Sequence, residues 1–343
     1  MCDNNYPKVS IIVVTFNQED TISRTLESIL CQKCNFNYEI IIGEDASQDH
    51  TRNICLEYQK KYPDIIRLMP KQSNKGLLDN YMDCLLACRG VYIADCAGDD
   101  YWISDTKLQK QADILDSDEH ISLVHTDYTC IDEQTGKLIP STTIHESSLR
   151  DSIIDGKTML RAILDSSTIF PINLCTAMYR KATILSEYYN DTFLFRNPDF
   201  GFEDLPISAV LSHAGKIAFL SENTLNYTTG HESISNSFYP SKIFDFYYKS
   251  ISLHLYLDKK YPEFASQKSS YHKMLQYILA QTFNTLDSKR RTRFKELIKN
   301  NHLSLSIKSY LTLFLSSWKP LWKASAYVNK KLNLLYKTIL KHQ

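Results

Sequence analysis

Beyond Glu296 the 343-residue chain has no further aspartate or glutamate, while eight lysines follow. A segment carrying charge of one sign only suits an anionic surface. The chain as a whole has no such bias. Its 39 Lys and Arg stand against 39 Asp and Glu, so no global field draws it to nucleic acid. It also lacks an apolar run of the about 20 residues that cross a bilayer; the nearest candidate, Leu303 to Trp318, is short and broken by Lys308 and several serines. The nine cysteines are odd in number, scattered and without a regular framework, and the polar N-terminus has no signal-peptide core. Free thiols in a reducing cytoplasm are the expectation. Cys31 and Cys34 have the spacing of half a zinc site, but a second pair at ligand spacing is missing. No Gly-x-Gly-x-x-Gly follows the first strand, which speaks against a nicotinamide dehydrogenase. Internal repeats and low-complexity segments are absent.

What is present is an alternation of strands and helices. Val9-Ser10-Ile11-Ile12-Val13-Val14 is a continuous β-branched run of the kind buried on both faces of a sheet. A polar loop follows, then a helix with Ile22, Leu26, Ile29 and Leu30 on one face. The second unit repeats the order: a strand over 39–43, an acidic loop, and a helix over 51–62 that stops before Pro63. Further strands are predicted over 65–69, 91–96, 121–128, 175–179, 216–220 and 224–228. Helices are predicted over 77–88, 107–115, 158–164 and from about 202 to 214, and residues 132–150 read as a hairpin or loop. The alternation argues for a parallel sheet flanked by helices. From residue 241 the pattern turns helical and rich in Tyr, Leu and Lys, giving two domains, 1–240 and 241–343.

Carboxylates stand just past two of the buried strands, where ligands bind in open α/β sheets. Asp45 follows the 39–43 run directly. A carboxylate there loses hydration unless it meets a donor, and a nucleobase imide N–H is one. Ser47 and Asp49 have the simpler reading of helix caps. Gly98-Asp99-Asp100 sets two carboxylates on one turn, where each raises the other's pKa unless a cation neutralises them. Oxygen-only ligands favour Mg²⁺ or Mn²⁺ bridging a diphosphate, with an Asp-rich turn before the next helix as the other reading. Asp204 lies at a predicted helix start between Phe202 and Leu205. The helix dipole favours the anion there and the apolar flanks push its pKa upward; an N-cap is the alternative.

Taken in order, Val9–Asn17, Ser28–Gln32, Glu39–Asp49, Asn74-Lys75-Gly76, Gly98–Trp102 and Lys107–Gln111 resemble the inverting family 2 glycosyltransferases, over residues 8–235. The resemblance implies a GT-A fold: a mostly parallel sheet with flanking helices, here joined by a C-terminal helical region. It implies that Thr15, Asn17 and Glu19 line a nucleotide pocket, that Asp45 accepts from the base, and that Asn74 and Lys75 sit near the ribose or diphosphate. Asp99 becomes the ligand of Mg²⁺ or Mn²⁺, with Asp100 in support. Glu203 and Asp204 form the acidic pair of the catalytic helix, with Asp204 the base. His231, with Ser233 and Ser235, resembles a closing motif near the diphosphate. Two positions depart, one of them conservatively, with Glu44 in place of the commoner Asp. Ala97 stands where the family has Asp or Glu, which leaves that residue's ribose contacts without a match.

The implied partners are a nucleotide-sugar donor, expected to be UDP-linked, and a saccharide or lipid-linked acceptor, in the building of cell-surface polysaccharide or glycolipid. Other readings stay open. Ala97 invites a nucleotide-sugar-binding protein without turnover. A nucleotidyltransferase also pairs an α/β sheet with a metal, but the loop over 15–20 is not the Gly-rich basic loop such enzymes carry. The tail, with Leu311, Phe314, Leu315, Trp318, Trp322 and Tyr327 among lysines, reads either as lying on the inner face of the cell membrane or as a helical unit packed on the core or on a second copy.

Overall fold

A computed structural model describes residues 6–70, 73–140, 151–165, 172–230, 237, 239–265 and 271–327. The chain separates into two compact units. The division falls after His231, with Asp165–Ser167 counted in the second unit.

The first unit is built on one sheet. Its first half is β1 (Val9–Thr15), β2 (Tyr38–Glu44), β3 (Ile66–Leu68) and β4 (Tyr92–Asp95), alternating with α1 (Ile22–Leu30), α2 (Thr51–Lys61) and α3 (Leu77–Ala87). All pairings within this half are parallel: β1 with β2 and β4, and β2 with β3. Burial explains the run of β-branched residues. Val9, Ile11 and Val13 join the core with Ile22, Leu26 and Ile29 of α1, while Ile12 and Ile41 are buried on the other side. Each such side chain contributes about 1.5–3 kcal/mol.

The second half is mixed. It holds β5 (Tyr101–Trp102), α4 (Lys107–Ser117), β6 (Ile121–Asp132), β7 (Leu138–Pro140), β8 (Ser152–Ile154), α5 (Gly156–Leu164), β9 (Met178–Arg180), α6 (Lys181–Asn190), α7 (Thr192–Arg196), α8 (Asp204–Ala214) and β10 (Lys216–Thr229). The order across the sheet is β3-β2-β1-β4-β9-β6-β10-β5, with β7 on β6 and β8 on β10. β10 runs parallel to β6, and β9 runs antiparallel to both β4 and β6.

Three local departures from the sequence reading have plain causes. The two short strands expected over 216–228 are one strand, because β10 keeps its pairing with β6 across register shifts around Asn223. The strand expected over 175–179 begins late: Asn173 Oδ1 accepts from Cys175 N at 2.9 Å and closes a 3-10 turn at Leu174–Thr176. The two-residue β5, too short to read as a strand, pairs antiparallel with Leu225 and Asn226. That pairing fastens the Asp99-Asp100 turn to the end of β10.

The second unit contains α9 (Pro240–Lys260), α10 (His272–Thr285), α11 (Ser288–Asn301) and α12 (Ile307–Leu315). Phe244, Ile251, Tyr271, Leu275, Ile278 and Phe294 fill its core. Among the described residues no helix is long and apolar enough to cross a membrane. The described cysteines, Cys31 and Cys34 among them, are free.

Candidate active site at the carboxyl ends of the strands

The loops after β1 and β2 are zipped together by their own polar groups. Asn17 N donates to Ser47 Oγ (2.9 Å), and Gln48 N returns a bond to Asn17 Oδ1 (2.8 Å). Glu19 N donates to Asp49 Oδ2 (3.1 Å), and His50 N to Glu19 Oε2 (2.8 Å). Asn17 takes a positive φ of 52°, which asparagine tolerates better than most residues. Asn17 and Glu19, read as pocket lining, therefore also set the spacing of the two loops. Thr15 is buried and bonds Gln18 Oε1 at 2.7 Å.

Asp45, Asn74 and Lys75 meet. Asp45 accepts from Lys75 N (2.7 Å) and Gly76 N (2.9 Å), while Asn74 Nδ2 donates to the Asp45 carbonyl (2.9 Å). The donor that a buried carboxylate requires is thus supplied within the protein. Each carboxylate oxygen keeps a further lone pair for a ligand.

The Gly98-Asp99-Asp100 turn is clamped between α1 and β10. Thr21 and Thr25 bond the Gly98 carbonyl at 2.8 and 3.0 Å, and Thr25 also bonds the Asp100 carbonyl at 2.6 Å. Arg24 Nη2 (3.1 Å) and Thr228 Oγ1 (2.6 Å) converge on the Asp99 carbonyl. Asp100 is fully buried and accepts from Thr228 N at 2.8 Å. Its visible work is to hold the turn from inside. Asp99 is half-buried on the outer side.

A divalent cation that arrives with a diphosphate needs few protein ligands. Mg²⁺ is commonly held by one or two carboxylates, with phosphate oxygens and waters completing its shell. Among the described residues no group of three or more His, Cys, Asp and Glu could hold a metal ion. One half-buried carboxylate, Asp99, fits a cation shared with a bound diphosphate; it does not fit an ion held by the protein alone.

Two motifs in the sequence prove to be braces for the segment that follows this turn. Gln32 Oε1 accepts from Leu108 N (3.0 Å) and Gln32 Nε2 donates to the Ser104 carbonyl (2.6 Å). Lys107, wholly buried, donates to Gln111 Oε1 at 2.8 Å and lies 4.3 Å from the Trp102 ring centroid. Burial lowers its pKa to about 8, against Cys96, Asp95 and Cys175, which raise it. Gln111 Nε2 in turn reaches the Val124 (3.2 Å) and Thr176 (2.8 Å) carbonyls. Gln111→Ala strips partners from three buried polar groups at once. We expect it to cost about 2–4 kcal/mol in a thermal or urea melt; a loss below about 1 kcal/mol would mean that water or repacking replaces the amide.

Asp204 opens α8 and is not its N-cap. Glu203 holds the cap position, without a side-chain capping bond. The two carboxyls part company. Glu203 has a buried Oε2 without a partner among the described residues, and burial, then Asp204, push its pKa well above the usual range. Solvent reaches Asp204. The protein packed around it nevertheless raises its pKa to about 6 by desolvation. The surroundings thus push both pKa values upward, and Asp204 is the more exposed of the two.

Asp95, at the end of β4, escaped the sequence reading. Its only signal there is a lone carboxylate in an apolar run. It is buried, Oδ1 accepts from Tyr81 Oη at 2.7 Å, and Tyr81 Oη also bonds Tyr179 Oη. Oδ2 has no partner among the described residues. Burial raises its pKa to about 8, with Tyr81 and Lys107 opposing and Asp204 adding.

Electrostatics tie the acidic groups into one region. The Tyr227 hydroxyl is driven far above its ordinary range by burial first, then by Asp100, Cys175, Asp99 and Asp204. Cys84, pushed up to about 12 mainly by burial, feels Asp45 and Asp95 as well as Asp83. His231, Ser233 and Ser235 lie outside the described residues.

Comparison with known proteins agrees with this architecture. A crystal structure of S. aureus TarS residues 1–349 in complex with UDP-GlcNAc superposes with a TM-score of 0.54 at 19% identity, covering 90% of this chain and 79% of that one. At that identity the likeness shows the fold, which is GT-A. An uncharacterised protein of Mycobacterium bovis is 43% identical over 108 residues, 32% of this chain and 31% of its own. EpsE of Bacillus subtilis, named as a glycosyltransferase, is 36% identical over 141 residues, 40% of this chain and 50% of its own. The Escherichia coli UDP-Glc:α-D-GlcNAc-diphosphoundecaprenol β-1,3-glucosyltransferase WfgD is 29% identical over 167 residues, 48% of this chain and 63% of its own. The chain thus spans less than two thirds of the length of each of these curated relatives. The profile of glycosyl transferase family 2 matches residues 10–184, more than half of the sequence, and the chain belongs to that family.

Proposed function

We propose that this protein transfers a sugar from a nucleoside diphosphate donor to a hydroxyl acceptor, with inversion at the anomeric carbon, in the building of a cell-surface polysaccharide or glycolipid. The observation that carries this reading is the pair at the start of α8: an exposed Asp204 beside Glu203, whose Oε2 is buried, in one acidic region with Asp99.

Inversion needs a base for the acceptor hydroxyl, an in-line path to the anomeric carbon and a stabilised leaving group. Asp204 takes the acceptor proton; a pKa near 6 leaves it mostly ionised at neutral pH and still basic enough to act. Asp45 accepts from the base, while Thr15, Asn17 and Glu19 border the nucleotide and Asn74 and Lys75 the ribose or diphosphate. Asp99 would hold Mg²⁺ or Mn²⁺, which when bound offsets the charge that develops on the nucleoside diphosphate. Asp100 keeps Asp99 in place through its bond to Thr228. Holding both substrates in register supplies the remaining advantage.

A UDP-linked donor is supported by the UDP-GlcNAc held by TarS and by the UDP-Glc in the name of WfgD, and a lipid-linked acceptor by the diphosphoundecaprenol in that name. The deciding experiment is a thermal-shift panel of nucleotides and nucleotide sugars, with and without Mn²⁺, followed by a transfer assay with the stabilising donor. Asp99→Ala is expected to remove most of the Mn²⁺-dependent part of the donor shift and to leave the metal-independent part. An unchanged Mn²⁺ response would take the cation away from Asp99. The second reading, a binder without turnover, rests on Ala97 in place of the usual carboxylate. A stabilising donor that is neither transferred nor hydrolysed would favour it.

A further inference from the structure

We propose that the outward face of α12 is a docking surface for an anionic lipid bilayer. This helix is sided. Ser309 is buried, Leu313 packs against the core built around Phe244 and Leu275, and Leu315 packs against Phe283 and Trp322. The other side holds Ile307, Tyr310, Leu311 and Phe314, which are 81%, 57%, 57% and 69% exposed. With 3.6 residues per turn these four positions fall within about a third of the helix circumference. Trp318, 65% exposed, continues the apolar surface just beyond the helix end.

Large apolar side chains exposed together on one helix face, rather than singly, mark an interaction surface. What surrounds it identifies the partner. Lys308, Lys319 and Lys323, close to the patch in sequence, are exposed, and no carboxylate follows Glu296 anywhere in the sequence. A second copy docked face to face would set these lysines against their own counterparts. An anionic leaflet meets them with the opposite charge, and accepts Ile, Leu, Phe and Trp at the depth where such side chains settle. The helix has nine residues, far too few to span, so the contact is a surface one. Of Trp318, Trp322 and Tyr327, two are open to such a contact. Trp318 and Tyr327 are exposed, whereas Trp322 is buried with Nε1 donating to the Phe283 carbonyl at 2.9 Å. The inference stands on exposure and charge alone and does not depend on the sugar-transfer reading.

The three tryptophans make a direct test. Trp102 and Trp322 are buried and Trp318 is exposed, so a blue shift on adding vesicles reports Trp318. The full chain is mixed with vesicles of phosphatidylglycerol and phosphatidylcholine in equal parts, or of phosphatidylcholine alone. Flotation and tryptophan emission are read at low and high salt. We expect binding and a blue shift with the anionic vesicles only, weakened by salt. Ile307→Ser with Phe314→Ser should lower binding about tenfold or more. Lys308→Gln, Lys319→Gln and Lys323→Gln should each lower it about fivefold. These side chains are exposed, and circular dichroism of each variant confirms that the fold is intact. Absence of binding to the anionic vesicles at low salt overturns the proposal, as does equal binding by the Ile307→Ser, Phe314→Ser variant. A wild type that is dimeric by light scattering, made monomeric by the same variant and without vesicle binding, assigns the face to a second copy instead.

Discussion

Asp204→Asn is expected to lower sugar transfer by about a hundredfold to ten-thousandfold, the range set by loss of a general base. Nucleotide-donor binding should stay close to wild type, since the change is isosteric. Glu203→Gln makes the informative contrast. Burial, then Asp204, push the Glu203 pKa upward and so favour its protonated form, which an amide mimics. Its effect on the rate should be small beside that of Asp204→Asn. The pH profile gives a second handle. Asp204 must be ionised to accept a proton, so the rate should climb as pH rises through about 6 and level off above it. Full activity in Asp204→Asn, or a rate that falls across that range, would move the base elsewhere in the site.

Asp95→Asn is expected to change how stability depends on pH. In the folded protein burial raises the Asp95 pKa to about 8 from an ordinary 3.8. Between those values the native state keeps a proton that the unfolded chain has released. Stability contributed by this group is therefore complete below pH 3.8 and is lost progressively as pH rises toward 8. An amide carries no charge at any pH and can still accept from Tyr81. The variant should be more stable than wild type at the alkaline end by about 2 kcal/mol, with the difference vanishing toward pH 4. This is less than the full shift would give, because a buried site relaxes when the group ionises. Urea melts of both proteins across this range test it. A constant difference at every pH would show that Asp95 titrates alike in both states.

The sequence was most legible where one residue type does one local job. The β-branched runs of β1 and β2 and the apolar stripe of α1 show themselves by period and burial alone. So do the carboxylates at the ends of β2 and at the Gly98 turn, because a charged residue after a buried strand is conspicuous. The function of Gln32 and of Lys107 with Gln111 was hidden. Their order could be read, but not that each amide carries bonds between segments as far apart as Gln111 and Thr176. β5 was hidden for the same reason, since two residues become a strand only when Leu225 and Asn226 lie beside them.

Residue order by itself determined the alternation of strands and helices, the placing of acidic residues at strand ends and the all-basic tail. Those depend on neighbours within a few positions, and spacing records them. Only the folded chain decided which carboxyl of the 203–204 pair faces solvent, that burial beside Tyr81 raises the Asp95 pKa, and that Trp322 turns inward while Trp318 does not. Each of these is a matter of what surrounds a side chain in three dimensions. Burial, which underlies all three, is created by atoms that come from distant parts of the chain.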